Sequence, residues 1–274
     1  MPELPEVETV KRTLTPYLIN KRIARVKIYH PGVITIPDPD TFSNLITEKI
    51  IKSLGRRGKY IIFHLSEGYC LIGHLRMTGQ LTLTSPDAPL LPHTHVVFTL
   101  DNDSQLRWVD TRRFGRLYLV KEEELSTTAG LKKLGPEPLD PAFKVKDLAN
   151  ICSGRKKPIK QVLLDQTLIA GIGNIYADEM LFLAGVDPRR AASSLTLEEI
   201  KRLYEAMKTS LEQGIKNNGT SIRDYVDGSG KRGSNQDFLK VYGRANKPCL
   251  FCGEPLLRIK IGGRSTHFCS HCQK

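Results

Sequence analysis

Four cysteines near the end of the chain restrict its folding more than any other feature. They form two pairs, Cys249-x-x-Cys252 and Cys269-x-x-Cys272, separated by sixteen residues. Each C-x-x-C turn aims two thiolates at one point, and this spacing is that of a four-cysteine structural zinc site. Four sulfur ligands complete a tetrahedron and leave no position for water, so one Zn2+ ion is expected to hold structure and do no chemistry. His267 and His271 lie close enough to ligate, but a full cysteine set makes them bystanders. Cys70 and Cys152 stand alone. Between the pairs, residues 256–261 and 265–268 read as strands joined through Gly262-Gly263, a dipeptide suited to a tight hairpin turn, with Arg264 at its tip. From Lys240 to Lys274 there are seven Lys or Arg against the single acid Glu254. A zinc-stapled finger with a cationic tip suits phosphate; the alternative is a solvated basic tail.

The whole chain of 274 residues carries a formal net charge of +12, which favours a polyanionic partner, because neutralising phosphates releases their counterions. No apolar run approaches the roughly 20 residues that span a bilayer, so a membrane-inserted protein is excluded. The opening Met-Pro-Glu-Leu-Pro-Glu has neither the basic start nor the apolar stretch of a signal peptide, which leads us to expect a cytoplasmic protein.

Two architectures follow one another. A helix is expected from about Pro5 to Leu18, where Val7, Val10, Leu14 and Leu18 share a face. Short strand-like runs follow at 22–29, 49–54, 60–65, 70–75, 80–83, 96–100, 105–109 and 117–120, broken by turn residues such as Asp101-Asn102-Asp103. Their number and close spacing predict an antiparallel β-sandwich or barrel. Gly135, Pro136, Pro138 and Pro141 then crowd into a linker. Beyond it the clearest helix spans Leu197–Lys216, with Thr196 and Glu199 as a capping-box pair and Ile200, Leu203, Tyr204, Met207, Leu211 and Ile215 as its apolar stripe. Residues 224–236 are glycine-rich and polar, fitting either a functional lid or a slack connector. The boundaries expected are residues 1–133 for the first domain, 134–145 for the linker, 146–238 for the helical domain and 239–274 for the finger.

Proline at position 2 has a chemical use. Removal of Met1 exposes a secondary amine that can attack an aldehyde carbon and form a cationic imine. The amine must be unprotonated; its ordinary pKa is about 8, and the positive end of the following helix lowers it further. Glu3 and Glu6 can supply general acid or base function, though nearby carboxylates also favour the protonated amine. The bland reading of both acids is favourable charge in a first helical turn.

With these residues in view, the opening Met1-Pro-Glu-Leu-Pro-Glu-Val-Glu-Thr-Val10 resembles that of the formamidopyrimidine-DNA glycosylase family. So do Gly73-His-Leu-Arg-Met77, Asp110-Thr-Arg-Arg-Phe-Gly115, Leu134-Gly-Pro-Glu-Pro138, Leu164-Asp-Gln-Thr-Leu-Ile-Ala-Gly-Ile-Gly-Asn-Ile-Tyr176, Val241-Tyr-Gly-Arg244 and Gly263-Arg-Ser-Thr-His-Phe-Cys269, in the family's order across essentially the whole chain. The resemblance implies an α+β multidomain protein: an N-terminal antiparallel β-sandwich with flanking helices, then a helix-two-turn-helix domain with a β-hairpin zinc finger, and double-stranded DNA bound in the cleft between. It also implies a bifunctional glycosylase and abasic-site lyase that excises oxidised purines, acting as a monomer in the nucleoid-associated cytoplasm.

Roles carry over residue by residue. Pro2 would attack C1′ of the damaged nucleotide, Glu3 would protonate the sugar and shuttle protons, and Glu6 would hold the N-terminal segment. Lys59 and Arg264 complete the catalytic set. His93, Arg112, Asn174, Tyr242 and Arg264 would contact DNA, and Met77, Arg112 and Phe114 would fill the gap left by an everted base. Without the resemblance, Met77 and Phe114 read as core residues, and Asn174 as a helix N-cap. Ser221, Ile222, Arg223 and Tyr225 fall in the lesion-recognition loop, about 219–236, expected to stay mobile until a lesion enters. Two positions depart from the pattern: Arg113 stands where lysine is usual, and Thr78 where glutamate is common. The competing readings are an endonuclease VIII-like glycosylase for oxidised pyrimidines, whose members tend to open Pro-Glu-Gly-Pro-Glu where this chain has Leu4, and a non-enzymatic zinc-finger DNA binder, which leaves the N-terminal block unexplained.

Overall fold

The computed structural model describes residues 1–128 and 130–274. The chain divides into two compact units, one of Met1–Lys132 with Asn217–Gln236, the other of Lys133–Lys216 with Asp237–Lys274. The glycine-rich segment, assigned by sequence to the helical domain, thus clusters with the first unit. Its anchors are described with the site.

The first unit opens with helix α1, Leu4–Leu18. Leu4 and Pro5 occupy its first turn, and Val7, Val10, Leu14 and Leu18 are each 1% exposed or less, the stripe that their spacing predicts. Nine strands follow: β1 (Ile23–Ile28), β2 (Ile34–Ile36), β3 (Ile51–Arg57), β4 (Tyr60–Leu65), β5 (Tyr69–His74), β6 (Gly79–Thr84), β7 (Thr94–Leu100), β8 (Gln105–Asp110) and β9 (Arg116–Lys121). Helix α2, Pro39–Ile46, lies between β2 and β3. One sheet runs β1-β7-β8-β6 and the other β2-β9-β5-β4-β3. The sandwich is antiparallel as expected, with one exception: the short edge strand β2 lies parallel to β9. That pairing is open to β2 because a long stretch of chain, and not a tight hairpin, separates it from β9. Apolar faces of both sheets, with α1 and α2, enclose a core around Phe42, Phe63, Phe98, Leu106 and Trp108.

Neither β2 nor α2 is among the sequence-based elements. The signal for α2 is nonetheless local: the Asp38 carboxylate accepts from Thr41 N–H at 3.0 Å, Pro39 fills the first turn, and Phe42 and Ile46 are buried.

The second unit holds α3 (Val145–Cys152), α4 (Ile159–Leu164), α5 (Asn174–Ala184), α6 (Leu197–Lys216) and the hairpin of β10 (Leu257–Ile261) and β11 (Arg264–Phe268). Helix α6 has the bounds read from sequence. Thr196 N–H donates to Glu199 Oε2 at 2.7 Å, and Glu199 N–H donates to Thr196 Oγ1 at 3.3 Å, completing the capping box. Gly214 lets α6 pass close to α5, since a Cβ there would lie 2.5 Å from the Tyr176 hydroxyl. Thr196→Ala is expected to lower the unfolding free energy in urea titrations by about 1 kcal/mol, whereas Thr196→Ser preserves it.

Candidate active site and nucleic-acid interface

In the first unit the candidate nucleophile lies immediately before α1, whose N-cap is Glu3. Pro2 is buried, Glu3 and Glu6 are 2% and 1% exposed, and Met1 is 38% exposed. The Glu6 carboxylate is shared: Oε2 accepts from Glu3 N–H and Oε1 from Thr220 N–H, both at 2.8 Å. One side chain therefore fixes the start of the chain to the returning segment. Tyr225 backs the same contact, its hydroxyl donating to Asn218 O at 3.1 Å and Glu6 O at 3.4 Å. Burial, with the nearby Glu6 charge, pushes the Tyr225 phenol up, so it remains a donor.

The lesion-loop residues divide by exposure. Ser221 is buried: its hydroxyl donates to Tyr225 O at 2.8 Å and accepts from Gly233 N–H at 2.9 Å. Ile222 is 47% exposed and Arg223 is exposed. Gly228 N–H donates to Thr13 Oγ1, and Gly228 O accepts from Leu83 N–H, tying the segment to α1 and β6. Gln80 Nε2 also donates to Asp224 O.

Lys59, 6% exposed, occupies the two-residue turn between β3 and β4. Arg56 braces that turn, donating to Gly58 O at 2.9 Å and pairing with Glu8 at 3.1 Å. The three residues expected to intercalate lie on two neighbouring turns with Asp110 at their root. Asp110 Oδ1 accepts from Thr78 Oγ1 at 2.5 Å and from Arg112 N–H at 3.2 Å, and Oδ2 accepts from Gly115 N–H at 2.7 Å. Phe114 is 48% exposed, which removes the core reading, and the Arg112 guanidinium lies 4.8 Å from its ring centroid. Met77 is half-buried, and His93 is exposed at the entry to β7.

His74 ends β5 beneath the Met77 turn. Its Nδ1 accepts from Arg76 N–H at 3.0 Å, and its ring meets Tyr60 edge-on at 4.4 Å. Burial, aided by the Arg76 and Lys59 charges, pushes this imidazole down to about 3.

In the second unit, Asn174 is the first residue of α5 and Gly173 holds the cap position, so the N-cap reading of Asn174 is corrected. Asn174 Nδ2 donates to Ser265 O at 2.9 Å, beside Arg264. Its Oδ1 is buried and lacks a hydrogen-bond partner among the described residues. The same carbonyl of Ser265 accepts from Lys160 Nζ at 2.8 Å; this wholly buried lysine pairs with Asp178 at 2.6 Å. Asp178 in turn accepts from His267 N–H at 2.9 Å. The adjacent Glu179 carboxylate takes three backbone N–H groups, from Lys240, Val241 and Tyr242, at 2.8–2.9 Å. Two neighbouring acids on α5 thus dock the finger and the Tyr242 loop. Tyr242 packs against the His267 ring at 5.1 Å, and Arg264 follows the Gly262-Gly263 turn, both of whose glycines have positive φ, and is exposed.

The four cysteines fit zinc. Sγ atoms of Cys249 and Cys272 lie 3.9 Å apart, and those of Cys252 and Cys269 lie 3.5 Å apart. All four fall within 4.8 Å of one another. A tetrahedron with zinc–sulfur bonds of about 2.3 Å has edges of about 3.8 Å. Burial disfavours the Cys249 thiolate, but N–H groups of Phe251 and Cys252 and neighbouring thiols outweigh it and bring it down to about 7. Cys272 is pushed up by burial and by the other three, a cost that a cation removes. His267 is committed to Asp178, and neither it nor His271 joins the cluster.

Fold and site together define a DNA glycosylase of base excision repair with one structural zinc. Residues 1–117 match the family model described as formamidopyrimidine-DNA glycosylase N-terminal domain, 134–226 its H2TH domain, and 246–274 a zinc finger found in FPG and IleRS. The chain is 66% identical over 260 residues to the formamidopyrimidine-DNA glycosylase of Moorella thermoacetica, covering 95% of each. It superposes with a TM-score of 0.94 and 37% identity on a Lactococcus lactis FPG mutant in complex with Fapy-dG-containing DNA, covering 100% of both chains. A complex of the L. lactis Fpg with abasic-site DNA gives the same TM-score and identity, with 99% coverage of both. The chain belongs to the formamidopyrimidine-DNA glycosylase family.

Sequence reasoning missed the supporting residues Lys160, Asp178, Glu179, His74 and Asp110. A signal existed for two of them: Asp178-Glu179 interrupts an otherwise apolar helix, where a buried acid must have partners.

Two outcomes follow from this geometry. Unfolded histidine titrates near about 6.5, and buried His74 only near about 3, so between those values the unfolded chain binds more protons and stability falls as pH falls. Urea midpoints measured across that window should show a shallower slope for His74→Asn, which can still accept from Arg76. Complete zinc removal should unfold the β10–β11 hairpin and weaken DNA binding measured by fluorescence anisotropy; undiminished affinity would contradict this.

Proposed function

We propose that this chain excises oxidised purines, 8-oxoguanine and formamidopyrimidines, from double-stranded DNA and then cleaves the backbone at the resulting abasic site. The observation that carries this reading is the buried start of α1, where Pro2 and Glu3 are clamped through Glu6 to the returning loop. With Met1 removed, the Pro2 nitrogen has a lone pair that attacks C1′ of an everted nucleotide. The C1′–base bond breaks, the base leaves with a proton, and a cationic imine joins protein to sugar as Glu3 protonates the opening ring. Successive β- and δ-elimination then leaves phosphates on both sides of a one-nucleotide gap. Helix α1 favours the neutral amine through its positive end, whereas the two carboxylates favour the protonated form.

Met77, Arg112 and Phe114 fill the vacated stack and reach the orphaned base, for which their exposed turns are suited. His93, Asn174, Tyr242 and Arg264 contact phosphates, and Lys59 and Arg264 complete the reacting set. Ser221, Ile222, Arg223 and Tyr225 recognise the lesion. Zinc supplies rigidity to the finger. The protein works as a monomer on the nucleoid in the cytoplasm, in keeping with its charge of +12 and with the absence, among described residues, of a helix long and apolar enough to cross a membrane.

Borohydride trapping on duplexes carrying 8-oxoguanine opposite cytosine tests the chemistry. Material with Met1 removed should form a covalent protein–DNA adduct, and material retaining Met1 should form none. Full-rate incision by the Met1-retaining form would overturn the catalyst proposed here. Faster cleavage of thymine glycol in a parallel duplex would favour an oxidised-pyrimidine enzyme instead.

A further inference from the structure

Only two groups of side chains among the described residues converge as a metal-binding set does: the four cysteines, and His64, Cys70 and Glu122 in the first unit. The second group has no part in the chemistry above. His64 and Cys70 are cross-strand partners on β4 and β5, and Glu122 directly follows β9. Three consecutive neighbours in one sheet thus each contribute a donor atom.

The distances are those of a hydrogen-bonded cluster and lie within a few tenths of an ångström of coordination edges. His64 Nδ1 lies 3.0 Å from Glu122 Oε1 and 3.5 Å from Cys70 Sγ. In a tetrahedral zinc site with bonds of about 2.3 Å to sulfur and about 2.1 Å to nitrogen and oxygen, the corresponding edges are about 3.4 Å and about 3.6 Å. Protons alone serve the cluster badly. Nδ1 carries either a proton or a lone pair, so it can donate to the carboxylate or accept from the thiol, but not both. A cation among the three atoms accepts a lone pair from each.

We propose that His64 Nδ1, Cys70 Sγ and a Glu122 carboxylate oxygen form a second, exchangeable site for a zinc-class divalent cation, with water as fourth ligand. Thiolate, imidazole and carboxylate together suit Zn2+ or Co2+ and disfavour Mg2+ and Ca2+. Water reaches the site from the side of His64 and Glu122, whose side chains are 27% and 55% exposed, while the sulfur is covered. Binding breaks the Cys70 S–H bond, forms a metal–sulfur bond and releases the proton to solvent. Burial and the Glu122 charge push that thiol up to about 11, so metal competes with a proton for the sulfur. The ion straps β4 and β5 to the segment after β9. Lys59 precedes the opposite end of β4, roughly 16 Å away along an extended strand, so incision is unaffected.

Titration of the full-length, zinc-loaded protein with Co2+ tests this. Wild type should take up one further equivalent with a sulfur-to-cobalt charge-transfer band, and Zn2+ should raise its Tm. His64→Gln and Glu122→Gln should each weaken that uptake by at least about tenfold and remove the Tm shift, while leaving incision intact. Cys70→Ser should abolish the charge-transfer band. Failure of wild type to bind a further equivalent, or retention of that binding in a His64→Gln/Glu122→Gln double variant, overturns the proposal.

Discussion

The geometry of the candidate active site depends on one carboxylate. Glu6 is almost wholly buried, and it uses one oxygen for the backbone of Glu3 and the other for that of Thr220. A buried carboxylate costs several kcal/mol unless its oxygens are satisfied, so the two N–H groups are held as firmly as they hold it. The first residues of a chain are ordinarily among its least ordered. Here the capped start of α1 and the returning segment immobilise each other, which is the fixed position that the proposed attack by a terminal Pro2 amine requires.

The second unit solves a parallel problem with the same device. A zinc hairpin is rigid within itself, but its Arg264 tip is useful only if the hairpin is fixed to its neighbours. Asp178 and Glu179, adjacent on α5, accept backbone donors from β11 and from residues 240–242 respectively, and Lys160 neutralises the first while donating to the Ser265 carbonyl. Burial raises Glu179, and its three N–H donors pull it back towards the charged form. Removing one member of such a network leaves the others buried and unpaired, so its parts behave as a unit.

Legibility in the sequence followed the range of the signal. Helices α1 and α6 were readable because their stripes and caps lie within a few residues, and the finger was readable because cysteine spacing encodes its own geometry. The family blocks marked the candidate positions without saying how they are held. The partnership of Glu6 with Thr220 spans 214 positions, and that of Lys160 with Thr266 spans 106, distances over which no periodicity or spacing rule operates. The same reason explains why the glycine-rich segment was grouped with the helices preceding it. Its composition marks a loop, but only hydrogen bonds to Thr13, Leu83 and Glu6 determine which unit it joins. Strand β2 escaped because three residues are too few to display alternation.

Thr78 shows how a departure from a family pattern can be absorbed. Where glutamate is common, the shorter hydroxyl donates to Asp110 and accepts from Arg112 N–H at 3.0 Å. A carboxylate beside Asp110 would bring two negative charges together, and the threonine avoids that repulsion while linking the Met77 turn to the Arg112 turn. Side chains proposed to enter a base stack together benefit from sharing a rigid root, since every degree of freedom left in them is lost on binding. Asp110, with no exposed surface, is that root. Its carboxylate sets the relative positions of two backbone amides and one hydroxyl, and so the spacing of the proposed wedge, with no contact of its own to nucleic acid being needed.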